Sequence, residues 1–233
     1  AIPNPVRGSA VDFNEEEWFK IMKAAYFTEE LIEKHSAIMD KYDPEKRVSL
    51  VIDEWGTWFD VEPGTNPGFL YQQNTMRDAV SAAISLQIFN QHSDRVRMAN
   101  LAQTVNVLQA VILTEGAEIV LTPTYHIFEM LKVHQDAMLL DSSLDEGVYE
   151  YEGESVPQIS STASTDANGK IHISFSNADP KKGAQIQCVL EGMESCRSIS
   201  GRILTAETMN AHNTFDMPSR VVPTNFDGYK LEK

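Results

Sequence analysis

Cysteine is nearly absent. Cys188 and Cys196 are the only two in 233 residues, and neither sits in a CxxC pair, which excludes a thiolate zinc site by pattern. The expectation is two free, partly buried thiols, with a disulfide open only if they lie on adjacent strands. Basic residues are also scarce: 19 Lys and Arg against 34 Asp and Glu give a net charge of −15. That balance argues against nucleic acid or an anionic membrane surface as partner and favours a neutral substrate. No run approaches the roughly 20 apolar residues of a membrane span. The first residues, Ala1-Ile2-Pro3-Asn4-Pro5, have neither the basic start nor the apolar centre of a signal peptide. Cytoplasm and periplasm both stay open, because any leader would lie upstream of Ala1. The six histidines, His35, His92, His126, His134, His172 and His212, form no HxxxH pair, so neither a metal centre nor a cofactor is expected. There is no internal repeat and no low-complexity tract. What is present, 42% hydrophobic and 23% charged residues, suffices for one large domain or two small ones with a real core.

Asn14 to Tyr42 reads as helix. Asn14 is the N-cap, Glu15, Glu16 and Glu17 sit at the positive end of the dipole, and Trp18, Ile21, Met22 and Ala25 recur at helical spacing. Thr28 offers a restart ahead of a second stripe, Leu31, Ile32, His35, Ile38 and Met39, and Asp43-Pro44 ends it. Val48 to Asp53 reads as a short strand covered on both faces. A Gly/Pro/Asn-rich loop, Glu62 to Gly68, is long enough to cover a site. Tyr71 to Gln91 is the next helix and Arg95 to Ala99 the next strand. Leu101 to Leu113 is apolar but interrupted by Gln103, Asn106 and Gln109. Thr122 as N-cap and Pro123 at the first helical position open a further helix through Val133. This alternation is the grammar of βα units.

After about Gln135 short alternating stretches replace helices: Gln158 to Ser164, Lys170 to Ser176, Ala184 to Leu190 and Ser198 to Thr205. Turn signals at Asp166-Ala-Asn-Gly169 and Asp179-Pro-Lys-Lys-Gly183 separate them. The pattern predicts an antiparallel β-sandwich. His172 alternates with Ser174 and Ser176 and reads as a solvated histidine.

The stretch Val48 to Phe59 carries the chemistry. An apolar strand ends on Asp53-Glu54, followed by Trp55, Trp58 and Phe59. In a barrel of alternating strands and helices, the carboxyl end of a strand is where active sites are built. Aromatic rings there can stack on sugar C–H faces. The alternative is an Asp-Glu turn beside ordinary core aromatics.

Three motifs, Asp53-Glu-Trp-Gly-Thr-Trp58, Met98-Ala-Asn-Leu-Ala-Gln-Thr-Val-Asn106 and Leu121-Thr-Pro-Thr-Tyr-His-Ile-Phe128, together resemble the α-L-arabinofuranosidases of glycoside hydrolase family 51, in order and in spacing. Ile2-Pro-Asn-Pro5 and Pro63-Gly-Thr-Asn-Pro-Gly68 share the likeness. It is strong over residues 1 to 137 and weak beyond.

The resemblance implies a (β/α)8 barrel joined to a jelly-roll-like β-sandwich, an α/β part followed by an all-β part. Residues 1–137 would be the last quarter of the barrel, with Val48 to Glu54 as strand seven and Arg95 to Ala99 as strand eight, and 138–233 the sandwich. A barrel needs about 250 residues, so the chain is expected to be incomplete at both ends, with the rest of the barrel supplied from elsewhere.

By resemblance Glu54 is the nucleophile of a retaining hydrolase that releases terminal α-L-arabinofuranosyl groups from arabinoxylan or arabinan. The acid/base glutamate is expected outside the chain, since Asn14-Glu15 opens a helix instead of ending a strand. Gln103, Trp58, Trp55 and Asn100 are the implied substrate contacts, with Asn106 weaker. Gln103 as a helix cap, Trp58 packed on Pro63 or Pro67, and Trp55 packed beneath the site remain the alternatives. Asp53 is expected to accept structural hydrogen bonds, Tyr125 and His126 to be scaffold, and Trp18 core. The family likeness further implies a homo-oligomer, a hexamer. An endo-β-glucanase or xylanase on the same scaffold and a non-catalytic carbohydrate-binding fragment are the competing functions.

Overall fold

The computed structural model describes residues 7–145, 147–192, 196 and 198–231, so the Ile2-Pro-Asn-Pro5 likeness lies outside the described residues. The first element, α1 (Glu15–Asp40), is one uninterrupted helix. Its cap is the expected one: Glu17 N donates to Asn14 Oδ1 at 3.1 Å, and Asn14 N donates to Glu17 Oε2 at 3.0 Å. Thr28 is buried in the same face as Trp18, Phe19, Met22 and Ile32 and does not restart the helix. The predicted second stripe is buried only at Ile32, while His35 and Ile38 face outward. Apolar spacing marks a face, but not how many of its turns find a partner.

Next, β1 (Leu50–Trp55) runs parallel to β2 (Val96–Leu101), with α2 (Met76–Gln91) between them in sequence, a βαβ unit. Both strands end two residues later than the sequence suggests. Leu50 and Ile52 pack on the core, whereas Val51 is 43% exposed, so β1 is covered on one face and not on both. Helix α2 begins at Met76 and not at Tyr71. Thr75 caps it, accepting from Arg77 N at 3.2 Å, and Asp78 closes the box by accepting from Thr75 N at 2.7 Å.

The apolar stretch after Leu101 is a loop leading into a hairpin, β3 (Ile112–Glu115) and β4 (Glu118–Leu121). Helix α3 (Pro123–Leu131) opens with Thr122 as N-cap and Pro123 in its first turn, and closes in a 3₁₀ turn, Lys132–His134. Among the described residues no helix is long and apolar enough to cross a membrane.

The remainder is strand and loop: β5 (Met138–Leu139), β6 (Val148–Tyr151), β7 (Glu154–Pro157), β8 (Ile159–Thr165), β9 (Ile171–Asn177), β10 (Gly201–Ile203) and β11 (Thr224–Phe226). The order β5-β8-β9 makes a three-stranded antiparallel sheet, and β6-β7 and β10-β11 are separate pairs. Ala184 to Leu190, predicted as a strand, is largely exposed and belongs to no ladder, because alternation alone supplies no neighbour to pair with. Cys188 is exposed and Cys196 half-buried, both free.

The strand-rich half packs directly on the helices. Gln87 and Gln91 of α2 donate to Ser174 O (3.2 Å) and Ser161 O (3.1 Å), and Trp18 Nε1 donates to Ala178 O at 2.8 Å. Tyr149, Val156 and Ala178 share one buried cluster with Trp18, Trp55, Phe89 and Ile127.

His134 pins the 3₁₀ turn to the β8-β9 hairpin, with Nδ1 2.7 Å from Ser164 Oγ and Nε2 2.8 Å from Ser174 Oγ. A neutral imidazole can accept from one hydroxyl and donate to the other, whereas the charged ring can only donate. Burial, reinforced by neighbouring His172, pushes the His134 pKa down to about 4. His172 itself is half-buried with Nε2 3.2 Å from Asp166 Oδ2, and not simply solvated. Because the folded value lies below the unfolded one, the stabilisation is complete above about pH 6.5 and is lost as pH falls toward 4, on the order of 3 kcal/mol. Thermal melts over that window should show the wild type losing stability more steeply than His134→Gln, whose side chain does not titrate.

Candidate active site

The carboxyl ends of two parallel neighbouring strands lie side by side, so residues that follow β1 and β2 emerge together. Trp55 pairs with Leu101, and Ala102 N donates to Trp55 O at 3.0 Å. The ladder is irregular between Ile52 and Trp55, and this breaks the strict alternation of faces. Asp53 and Glu54 are consequently both exposed, while Trp55 turns inward. Neither carboxylate forms a hydrogen bond or an ion pair with another described residue. The structural hydrogen bonds expected of Asp53 are not made among the described residues.

Trp55, expected among the ligand contacts, is only 4% exposed. Its ring meets Phe89 edge-on at 5.3 Å and stacks on Phe128 at 6.0 Å. It lies behind the wall of the site and does not face into it. Trp58, three positions on, is 43% exposed.

Just beyond β2, the peptide Ala102–Gln103 is cis and Gln103 N donates to Leu108 O at 2.7 Å. Gln103 caps no helix, since a loop follows it. Its side chain and that of Asn100 line an open depression of about 520 Å³, together with Thr104, Val111, Tyr125 and Phe128. Asn106, by contrast, is committed to structure: its Nδ2 donates to Thr114 O (3.0 Å) and its Oδ1 accepts from Thr114 N (2.8 Å).

A buried polar chain fixes the turn behind Glu54. Gly56 adopts φ +124°, and a Cβ there would fall 2.9 Å from Gln109 Cγ and 3.2 Å from Leu101 Cδ1. Thr57 N donates to Gln109 Oε1 at 2.8 Å. The Thr57 hydroxyl lies against the same Gln109 oxygen, at 2.8 Å, and against the Asp78 carboxyl. Gln109 Nε2 reaches Thr124 Oγ1 (3.4 Å), which also accepts from Asn74 Nδ2 (2.8 Å).

Two residues further along the turn, Phe59 N donates to Gln72 Oε1 at 2.7 Å. The guanidinium of Arg77 is clamped between the rings of Phe13 (3.6 Å) and Phe59 (3.8 Å), and burial pushes its pKa down to about 10. Burial likewise raises Asp78 above the usual carboxylate range, against the pull of Arg77 and of the hydrogen bonds from Thr57 and Thr75.

Sequence reasoning missed Thr57, Asp78 and Gln109 as supports of the site, and Tyr125 as part of its lining. The available signals were Asp78 three residues after Thr75, a capping-box spacing, and a glutamine interrupting an apolar run. Glu15 is occupied elsewhere, pairing with Lys181 and accepting from Tyr149 OH at 3.3 Å. Glu29, Glu33 and His92 bring their ligand atoms within 4.8 Å of one another. They lie toward the amino ends of the strands, since His92 O accepts from Val96 N at the start of β2.

Comparison with known proteins gives one answer. The α-L-arabinofuranosidase C-terminal domain matches residues 53–233, Glu54 included. An intracellular exo-α-L-arabinofuranosidase from Bacteroides ovatus is 46% identical over 97% of this chain and 44% of its own length. The GH51 arabinofuranosidase from Xanthomonas axonopodis pv. citri, also 46% identical, superposes with a TM-score of 0.95 over 98% of this chain and 46% of that one. An α-L-arabinofuranosidase from Thermotoga maritima, 22% identical with a TM-score of 0.74 over 91% of this chain and 46% of that one, shares the fold. The chain spans less than half the length of these relatives. It belongs to the α-L-arabinofuranosidases of glycoside hydrolase family 51, of which it carries the C-terminal domain.

Proposed function

We propose that the protein is a retaining exo-hydrolase of non-reducing terminal α-L-arabinofuranosyl groups on arabinoxylan- or arabinan-type glycans, with Glu54 as nucleophile. The observation that carries the reading is an exposed carboxylate at the carboxyl end of β1, paired with no other described residue, beside the strand β2 whose end lines the amide-bearing depression. In this reading β1 and β2 are barrel strands seven and eight, residues 1–137 close a (β/α)8 barrel, and 138–233 form a β-sandwich docked against it. The remaining barrel strands come from the part of the relatives' length that this chain does not span, and the assembled enzyme is a homo-oligomer, a hexamer.

A retaining glycosidase needs two carboxyl groups about 5–5.5 Å apart. Glu54 attacks the anomeric carbon and forms the arabinosyl ester, while the aglycone oxygen leaves with a proton from an acid/base glutamate. Water deprotonated by that same glutamate then releases arabinose and frees Glu54. The acid/base is assigned to the remaining barrel strands, because Glu15 is engaged with Lys181 and Tyr149. Asn100 and Gln103 present amides to the furanose hydroxyls, groups suited to a neutral polyol. Trp58 supplies an exposed ring for stacking on the sugar next to the scissile bond. Trp55 acts from behind, through Phe128.

A mechanism-based arabinofuranosyl inhibitor followed by peptide mapping tests the assignment, and label on any residue other than Glu54 refutes it. Glu54→Gln is expected to lower turnover of nitrophenyl arabinofuranoside by a factor on the order of 10⁴ or more. Release of arabinose from oligosaccharides with no cleavage of polymeric glucan or xylan backbones is the expected selectivity; backbone cleavage would support the endo-acting alternative. Gln103→Ala should weaken kcat/KM by about tenfold, the worth of one good hydrogen bond, without changing the melting temperature.

A further inference from the structure

The Thr57 hydroxyl has more acceptors than protons. It carries one hydrogen, yet it lies within bonding reach of two oxygens, Asp78 Oδ1 and Gln109 Oε1, the latter at 2.8 Å. The orientation of the Gln109 amide is not free to resolve this. Its oxygen is fixed on the Thr57 side because it accepts from Thr57 N at 2.8 Å, and turning the amide over would set N–H against N–H. The hydroxyl can donate to Gln109 or to Asp78 but not to both, so one oxygen–oxygen contact lacks a hydrogen unless Asp78 brings its own.

Asp78 is fully buried, and its other oxygen is already an acceptor, from Thr75 N at 2.7 Å. A carboxylic acid satisfies every group in this arrangement. Its Oδ2 accepts from Thr75, its Oδ1–H donates to Thr57, and Thr57 donates onward to Gln109. We propose that Asp78 carries a proton at neutral pH, and that this proton completes the Asp78–Thr57–Gln109 chain that holds the turn behind Glu54. Asp78 is then a positioning residue for the nucleophile and touches no substrate, an inference that rests on the reading of Glu54 given above.

The local electrostatics agree. Burial is the largest influence on Asp78 and favours the neutral acid, outweighing Arg77, the neighbouring charged group that favours the carboxylate. Arg77 aims its Nη2 away, at Ser9 O (3.2 Å) and Ala10 O (3.4 Å). Thr75 and Thr57, the other groups that meet the carboxyl, are uncharged. Ionisation would take the Thr57 proton for Asp78 and leave Gln109 Oε1 facing a lone pair. Since the folded-state pKa is the raised one, the associated stability is present at low pH and is lost as pH rises through that value.

Infrared spectroscopy of the intact protein at about pH 8, where ordinary aspartates are ionised, tests the proton directly. The expected result is a protonated-carboxyl C=O band that shifts on carbon-13 labelling of aspartate and disappears in Asp78→Asn. The isotope shift is read on wild-type protein and needs no variant to fold; absence of any such band overturns the proposal. The positioning role is read in kinetics. Asp78→Ala should lower kcat about ten- to hundredfold with KM little changed. Asp78→Asn, whose amide can donate to Thr57 and accept from Thr75, should restore most of kcat and carry the alkaline limb of the profile to higher pH. An Asn variant as impaired as the Ala variant would refute that role. Should wild-type protein form no arabinosyl adduct at Glu54, the nucleophile assignment fails while the infrared band still decides the proton.

Discussion

The exposed carboxylate of Glu54 is only as well placed as the turn behind it, and that turn is held by one buried chain of polar groups. Thr57 bonds to Gln109 and Asp78, Gln109 reaches Thr124, and Thr124 is tied to Asn74. Each such bond adds only about 1 kcal/mol net, but removing one partner strands a buried group at a cost of about 1–3 kcal/mol. The network therefore acts as a unit and resists piecemeal change. It also joins α2, the loop before β3 and the start of α3 to the tip of β1, so four segments far apart in sequence share one geometric constraint.

The two ends of the parallel pair are treated in opposite ways. At the amino end Arg95 is almost wholly buried, its two terminal nitrogens pairing with Asp43 at 2.8 Å and with Asp40, and donating to Val48 O and Asp43 O. Its charge closes the junction between α1 and the strands. At the carboxyl end Asp53 and Glu54 stay exposed and pair with no other described residue. A charge bound by its own fold can do no chemistry, and a charge left free adds little to stability. The division assigns cohesion to one end and leaves accessible carboxylates at the other.

Local signals in the sequence carried far. Asn14 with Glu17, and Thr122 with Pro123, located two helix starts because capping depends on residues within one turn. The carboxylate and its aromatic neighbours were legible from a dozen residues. What was not legible depends on distant partners or on one irregular step. Trp55 turns inward because the β1 ladder slips between Ile52 and Trp55, which alternation alone could not foresee. The β3-β4 hairpin, joined by the two-residue turn Gly116-Ala117, falls between the apolar run Leu101 to Leu113 and the helix that opens at Thr122, a stretch for which the sequence pattern predicted no element. Gln109 looked like a polar interruption, because its partner Thr57 lies 52 positions away. Ala184 to Leu190 had a strand's pattern and found no strand beside it.

The span of the polar chain has a consequence for biosynthesis. Glu54 leaves the ribosome well before Gln109 and Thr124, and translation adds roughly 5–20 residues per second. For some seconds the nascent polypeptide carries the Glu54 carboxylate on a turn whose downstream partners do not yet exist. The support of that carboxylate is thus completed only after the downstream amide has been made.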